Sequence, residues 1–338
     1  MSKRILFIAT GGTIASKKTK KGLTPQISPQ ELLGYVPEAG EMAEIEVAAP
    51  FNLDSSNVTP EHWQQLVKLI RDNYESYDGF VIAHGTDTMA YTAAALSYMI
   101  QNSEKPIVLT GAQRPINLEI TDAKTNLRDS FLYAVDDESS DVVIVFDGKV
   151  IAGTRAKKVR TKSYNAFSSI DFPQLAVIQD GRILRYIRQE KAGKKVHFYE
   201  KLDDGVFVLK LLPGIRPTLL RTVFENYDAV IVESFGVGGI PLSIRREFAE
   251  LCREYPEKLI LMSTQVAHEG SDMTVYEVGQ EMKELCNFLE SYDMTPEAVA
   301  AKTMWLLANV PADPESRRRY FYHKINYDTI WPDCGEDI

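Results

Sequence analysis

The chain has 338 residues, 44% hydrophobic and 25% charged, with 47 acidic against 38 basic side chains and a net charge of −9. Its length favours two domains of ordinary size, and its composition is that of a globular protein. The acidic balance argues against a nucleic-acid partner, because phosphate binding requires a basic face. No run of 18 apolar residues is present that could span a membrane.

Lys3 and Arg4 could open a signal sequence, but the apolar run that follows, residues 5–9, is too short for one. Residues 4–10 read instead as a first strand ended by Gly11-Gly12, and with no export signal the expected compartment is the cytoplasm. A helix follows Thr59-Pro60, where Thr59 serves as cap, Pro60 suits the first helical position, and Trp63, Leu66, Val67 and Ile70 share one face. Residues 78–84 and 105–110 are further short apolar strands, each ended by a glycine, with a helix running from Met89 to Ile100 between them. Residues 141–146 form another strand, and Asp147-Gly148 predicts a hairpin turn into 149–153.

Continuous apolar strands alternating with helices imply a largely parallel sheet covered on both faces. The sequence turns polar near residues 188–204, and the pattern then restarts with strands at 206–212, 229–234 and 259–263 and a helix opening at Thr295-Pro296-Glu297. The fold class expected is therefore two α/β domains. A larger N-terminal one at 1–190 has a mainly parallel, doubly wound sheet; a linker at 191–205 leads to a smaller α/β domain at 206–338. Cys252, Cys286 and Cys334 are too widely spaced for a disulfide framework or a metal site, so no metal is expected.

Reactive groups in parallel sheets gather where strands end. Two strand ends here carry threonines. In residues 9–15 (ATGGTIA) the paired glycines allow a sharp turn and close approach of a substrate, leaving the Thr13 hydroxyl at the sheet edge. The spacing is not that of a dinucleotide fingerprint. In residues 84–88 (HGTDT), Thr86 or Asp87 could simply cap a helix; the same free N–H groups would also stabilise an oxyanion. His84 abuts a buried strand and reads as a hydrogen-bonded structural residue. A threonine hydroxyl needs a base, and Lys162, within the basic run 155–162, is the candidate. Most charges of that run read as a solvated turn.

ATGGTIA at 9–15 with HGTDTM at 84–89 resembles the bacterial asparaginase family. Asp54-Ser55-Ser56, GAQRP at 111–115, Thr161-Lys162, SFGVGG at 234–239, VYEVG at 275–279 and the helix starting TPEA extend the likeness over nearly the whole chain. With no leader, the resemblance is to the cytoplasmic type I branch. It implies hydrolysis of L-asparagine to L-aspartate and ammonia without cofactor, by a homodimer or homotetramer. By motif, Thr13 matches the nucleophile that forms an acyl-threonine. Thr86, Lys162 and Asp87 match the second hydroxyl, its base and an orienting carboxylate. Asp54, Ser55, Ser56, Thr86, Asp87 and the Ala112 backbone match the substrate-binding set.

Two positions depart from the family pattern. Leu23 stands where a loop tyrosine commonly assists the nucleophile, and Tyr276 of VYEVG is the candidate replacement. Gly239 stands where relatives often carry an asparagine that reaches a neighbouring active site. The lysine-rich loop 16–22 suits a lid. Val266 and Glu233 occupy segments some relatives use for regulation and are ill suited to gripping a carboxylate, so allostery is not expected. A glutamine-directed amidase and a component of an amidotransferase are the neighbouring readings, the latter disfavoured because no further domain precedes the first strand. A catalytically dead amino-acid sensor is the alternative outside enzymes. Leu23 favours it, and the presence of Thr13, Thr86, Asp87 and Lys162 together weighs against it.

Overall fold

Short β-branched and apolar runs recur through the first half of the chain, and the central ones become strands whose side chains are covered on both faces. The computed structural model describes residues 2–19, 22–189, 193–273 and 286–331. The chain divides into two compact units, Met1–Glu200 and Lys201–Ile338.

In the first unit, β1 (Lys3–Ala9) is followed by a small hairpin of β2 (Ser16–Thr19) and β3 (Gly22–Pro25), then α1 (Pro29–Gly34), α2 (Glu38–Met42) and β4 (Ala43–Ala48). Next come α3 (Pro60–Asn73), β5 (Gly79–Ala83), α4 (Met89–Met99), β6 (Ile100–Gln101), β7 (Ile107–Thr110) and α5 (Ala123–Ala134). The remaining strands are β8 (Val142–Phe146), β9 (Lys149–Ala152), β10 (Ala156–Lys158), β11 (Phe167–Ser169), β12 (Ala176–Gln179), β13 (Arg182–Arg185) and β14 (His197–Phe198). Eight of these form one sheet in the order β13-β12-β9-β8-β7-β5-β1-β4. The five from β4 to β8 run parallel, and β9, β12 and β13 extend the sheet antiparallel. The antiparallel extension follows from two tight turns, Asp147-Gly148 and Asp180-Gly181, all four residues at positive φ as two-residue hairpins require. Residues 197–198, which composition places in a linker, pair instead as β14 with β6.

Every residue of β5, β7 and β8 is buried, as expected of strands with helices on both faces. The edge strand β4 alternates, with Glu44 and Glu46 outward, and such charges blunt an open edge. Helix α3 buries Trp63, Leu66, Val67 and Ile70, the face its periodicity predicts. Helix α4 differs: nearly all its side chains are buried, because it is packed on several sides.

The second unit repeats the logic at smaller scale. Strands β15 (Val206–Lys210), β16 (Ala229–Ser234), β17 (Leu259–Thr264) and β18 (Leu289–Glu290) lie in that order, all parallel. Helices α6 (Leu220–Asn226) and α7 (Leu242–Glu254) connect the first three, packing Phe224 and Phe248 edge to face within the core. Helix α8 (Pro296–Asn309) starts where Thr295 caps the Ala298 N–H (3.1 Å) with Pro296 behind it. Helix α9 (Pro314–Tyr322) is capped by Asp313 in the same way. Cys252 and Cys286 are buried free thiols; Cys334 lies outside the described residues.

Candidate active site

Numbered among themselves, the five parallel strands of the first sheet have the order 2-1-3-4-5. The chain leaves β1 for β4 on one side and then crosses to β5 on the other. Such an order has a crevice at its switch point, outside the carboxyl ends of β1 and β5. The loops leaving β1, β4, β5 and β7 all converge there, and glycines interlock them.

Thr10 anchors the first loop, its N–H and Oγ1 both donating to the Ala83 carbonyl (3.0 Å each), while Leu53 N donates to Thr10 O and Gly12 N to Leu53 O (3.0 Å each). Gly11 and Gly12 have φ of 102° and 81°. A Cβ on Gly11 would sit 2.5 Å from the Leu53 carbonyl oxygen, and one on Gly12 would sit 2.4 Å from Gly85 Cα. A Cβ on Gly85 would meet Ser55 Oγ at 2.6 Å, and one on Gly111 would meet His84 O at 2.4 Å. Only glycine fits at these four positions, because backbone packs against backbone or a buried serine. The β1 and β5 loops thus touch at the residues immediately before Thr13 and Thr86. Thr13 opens a single 3₁₀ turn and is half-buried; Thr86 is buried.

Lys158, at the end of β10, completes the cluster. Its Nζ lies 2.8 Å from Thr86 Oγ1 and 2.6 Å from Asp87 Oδ1. The lysine side chain is 16% exposed while the Asp87 side chain is 66% exposed, so the pair joins a covered amine to an open carboxylate. Lys162 does not hold this position. It is exposed, in the connection between β10 and β11, whose ends are already joined by Val159 and Arg160 N–H bonds to the Ala166 carbonyl. The Thr161-Lys162 dipeptide misleads because the lysine at the strand end lies four residues earlier. Its signal was the short strand at 156–158, which the surrounding basic charges disguise as a loop.

Of the expected substrate-loop residues, Ser55 is buried against Gly85 and its carbonyl accepts from Thr88 Oγ1 (2.7 Å). Asp54 and Ser56 engage each other: Asp54 Oδ1 accepts from the Ser56 N–H (3.0 Å) and hydroxyl (2.9 Å), capping the turn at Ser55–Asn57. Ala112 is fully buried beside Gly111. Leu23 pairs with Lys18 across the β2–β3 hairpin, and Tyr276 lies outside the described residues.

Three further residues frame the site, of which only Gln113 lies in a motif, GAQRP at 111–115. Gln113 accepts a bond from the Thr86 hydroxyl (3.3 Å) and donates to the Ser163 carbonyl (3.1 Å), tying the β10–β11 connection to the β5 loop. Asp122 accepts from the Gln113 and Arg114 N–H groups (2.8 and 3.1 Å), and Asn126 Nδ2 donates to Gly111 O (3.0 Å). Asp122 and Asn126 are four apart at the start of α5. That spacing, after a glycine-led loop, is the signal that could have found them.

His84 is fully buried and works for structure. Its Nδ1 is 2.7 Å from the Gly85 carbonyl, which can only accept, so Nδ1 carries the proton. Nε2 then accepts from Thr92 Oγ1 (3.1 Å), which in turn accepts from Trp63 Nε1 (2.9 Å). Burial pushes the imidazole down to about 4 from its ordinary 6.5, against a smaller opposing pull from the Gly85 carbonyl. With the folded-state value depressed, the unfolded chain binds the extra proton between pH 6.5 and 4. Stability is thus lost as pH falls through that window, by about 3 kcal/mol in all. The expected result is a fall in Tm from pH 7 to 4 that is shallower in His84→Gln. Subtracting the two profiles isolates His84; an identical slope in both would refute the assignment. Other titrating groups cancel in the subtraction, among them Asp141, whose carboxyl burial raises to about 6.

Hydroxyls, an amine and a carboxylate gathered at the switch point of a parallel sheet define an α/β enzyme. Comparison with known proteins gives its kind. The family model "Asparaginase, N-terminal" matches residues 4–191, and "Glutaminase/Asparaginase C-terminal domain" matches 205–321. An L-asparaginase from Thermococcus kodakarensis is 36% identical over 318 residues, covering 93% of this chain and 96% of that protein. Its solved structure superposes with a TM-score of 0.89, covering 96% of this chain and 98% of that one. L-asparaginase I from Vibrio cholerae superposes at 0.86 with 29% identity, covering 97% and 99% of the two chains. One component of a glutamyl-tRNA(Gln) amidotransferase, from Methanosphaera stadtmanae, is 34% identical, covering 90% of this chain and 72% of that protein. The chain belongs to the asparaginase family. It is an amidohydrolase acting on linear amides, and among its described residues no helix is long and apolar enough to cross a membrane.

Proposed function

We propose that the protein hydrolyses L-asparagine to L-aspartate and ammonia through an acyl-threonine on Thr13. The observation that carries this reading is the Lys158 amine bridging Thr86 Oγ1 and Asp87, beside the loop that presents Thr13. A threonine hydroxyl attacks an amide only when its proton has somewhere to go. Thr13 oxygen adds to the side-chain amide carbon while its proton passes, relayed by Tyr276, to the amide nitrogen, and the tetrahedral intermediate collapses to an ester as ammonia leaves. Water then attacks the ester, with Thr86 and the Lys158 amine relaying the water's proton to the Thr13 oxygen as the acid is released. Asp87, exposed beside Thr86, holds the substrate's ammonium and the lysine together. The Ser55 hydroxyl, with Asp54 and Ser56 framing its turn, serves the α-carboxylate, and the Ala112 backbone lies by the amide end. Tyr276 is the proposed aid to Thr13.

The assay is ammonia release from asparagine by the full chain. Activity in the wild type that disappears in Thr13→Ala and falls in Tyr276→Phe supports these roles; activity retained in Thr13→Ala excludes the nucleophile.

Fixed contacts to both α-groups set where the amide carbon falls, so one extra methylene misplaces it. Asparagine is expected to exceed glutamine in kcat/KM by roughly 10–200-fold, the worth of a methylene in a fitted site. Equal values would contradict this. The amidotransferase relatives motivate a second reading, amide release from glutamine within an assembly. Glutamine or amidated tRNA turned over in preference to asparagine would favour it. The likeness to L-asparaginase I from Vibrio cholerae, and to a probable cytoplasmic L-asparaginase from Campylobacter jejuni, supports a type I, cytoplasmic enzyme, and we propose that it assembles as a homodimer or homotetramer. Sedimentation of the full chain tests the oligomer, and a monomer would exclude it.

A further inference from the structure

Cys252 and Cys286 stand 34 positions apart in the chain, yet the fold brings them together in the core of the second unit. Cys252 lies in the last turn of α7, and Cys286 lies just before β18. Both are buried free thiols, and each is the other's hydrogen-bond partner. A packing role needs only a small apolar group at each position, and does not call for two sulfurs in contact. The amidase reading uses neither.

The two sulfurs are not equivalent. The bond from Cys252 holds the Cys286 thiol below its ordinary value, helped by the charge of Arg253 and opposed by burial. The same bond pushes the Cys252 thiol up, and burial adds to it. Cys286 is therefore the readier thiolate and Cys252 the waiting thiol, an asymmetry that suits a two-step oxidation. Access differs in the same sense. Cys286 lines a cavity of about 50 Å³ together with Asn287, Leu289, Pro256 and Leu259, whereas Cys252 is not part of its wall. A void of this size exceeds the room a single water needs, and a small neutral oxidant fits it.

We propose that Cys252 and Cys286 form a reversible redox pair, closing to a disulfide when hydrogen peroxide reaches Cys286 from the cavity. The Cys286 thiolate attacks one peroxide oxygen and the O–O bond breaks. The departing hydroxide takes up the proton that the thiol released and leaves as water, and Cys286 becomes a sulfenic acid. The Cys252 sulfur then attacks the Cys286 sulfur, its proton leaves with the hydroxyl as a second water, and the S–S bond forms. Two thiols and one peroxide give one disulfide and two waters, the sulfurs losing the two electrons that the peroxide gains. A disulfide needs its sulfurs at about 2.05 Å, and thiols already in hydrogen-bond contact have little distance left to close. In a reducing compartment the pair stays open and closes only under oxidant. Once closed, it ties α7 to the start of β18 and constrains the unfolded chain. Nothing in this assignment depends on the chemistry at Thr13.

The test treats the full-length chain carrying Cys334→Ser, so that only this pair is present, with a small molar excess of hydrogen peroxide. Free thiols are counted and linked peptides are mapped by mass spectrometry. Both thiols are expected to disappear together, with residues 252 and 286 joined, and to return with dithiothreitol. The oxidised protein is expected to melt roughly 5–10 °C above the reduced one, the effect of closing a loop of this length. With Cys252→Ser added, dimedone is expected to capture Cys286 as a sulfenic acid, at least about tenfold faster than it captures Cys252 in Cys286→Ser. Thiols that resist peroxide overturn the proposal, as does oxidation of either cysteine to a sulfinic or sulfonic acid with no link formed. A link that lowers Tm shows that the fold does not accommodate the bond and overturns it too. Equal capture in the two variants overturns the assignment of Cys286 as the attacking sulfur.

Discussion

Replacing Lys158 by methionine is expected to lower kcat for asparagine hydrolysis by about a thousandfold, within the range a positioned general base contributes. Methionine keeps the aliphatic stem that packs along the site and removes the amine 2.8 Å from Thr86 Oγ1. Asp87 remains well exposed, so losing its partner costs little stability, and Tm should stay near wild type. Lys158→Arg is the sharper test. A guanidinium preserves the charge beside Asp87 but cannot accept a proton at neutral pH. Activity restored by arginine would make the residue an electrostatic prop; activity still absent makes it a base. Lys162→Met is expected to leave kcat unchanged, because that side chain is exposed between the two strands. The opposite pattern, loss at residue 162 and tolerance at 158, would sink the assignment.

The second large effect is expected at Gly12. Its backbone (φ 81°, ψ −176°) lies in a region essentially reserved for glycine, and an added Cβ would sit 2.4 Å from Gly85 Cα. Neither obstacle can be relieved by turning a side chain, since both partners are main chain. Gly12→Ala is therefore expected to cost about 3 kcal/mol, or roughly 10 °C in Tm for a unit of this size. Its effect on activity should be larger still, at least about a hundredfold in kcat, because separating the two loops pulls Thr13 from Thr86, and misplacement by an ångström costs that much. Gly40→Ala is the control. That glycine lies exposed within α2, a Cβ added to it would have nothing within 4 Å, and alanine there should stabilise by roughly 0.5–1 kcal/mol. Wild-type Tm and kcat in Gly12→Ala would show that the two loops are not wedged together.

The alternation of strand and helix, the α/β class and the burying face of α3 were all legible in the sequence, because each depends on contacts within a few residues. Trp63, Leu66, Val67 and Ile70 repeat at the helical period, and burial follows that period. The turn at Asp147-Gly148 was equally local: both residues must take positive φ, and few other pairs do so cheaply. His84 reads correctly as structural for a similar reason, since it ends a wholly apolar strand.

The lysine at Thr86 was a different kind of problem. Residues 155–162 carry several basic side chains with no local rule to separate them, and the choice turns on where β10 stops relative to the β5 loop, 71 positions away for the Lys158–Asp87 pair. Gln113 escaped for the same reason, its work being to join loops that meet only when the strands lie side by side; Asp122 and Asn126 bond within the connection that follows β7, where their spacing was the only local sign of them. Sequence by itself determined which segments form and which residue types stand at the strand ends, through propensity and periodicity. Which hydroxyl meets which amine was settled by the tertiary structure alone, since a hydrogen bond acts over about 3 Å and only the packing of the sheet brings its partners that close.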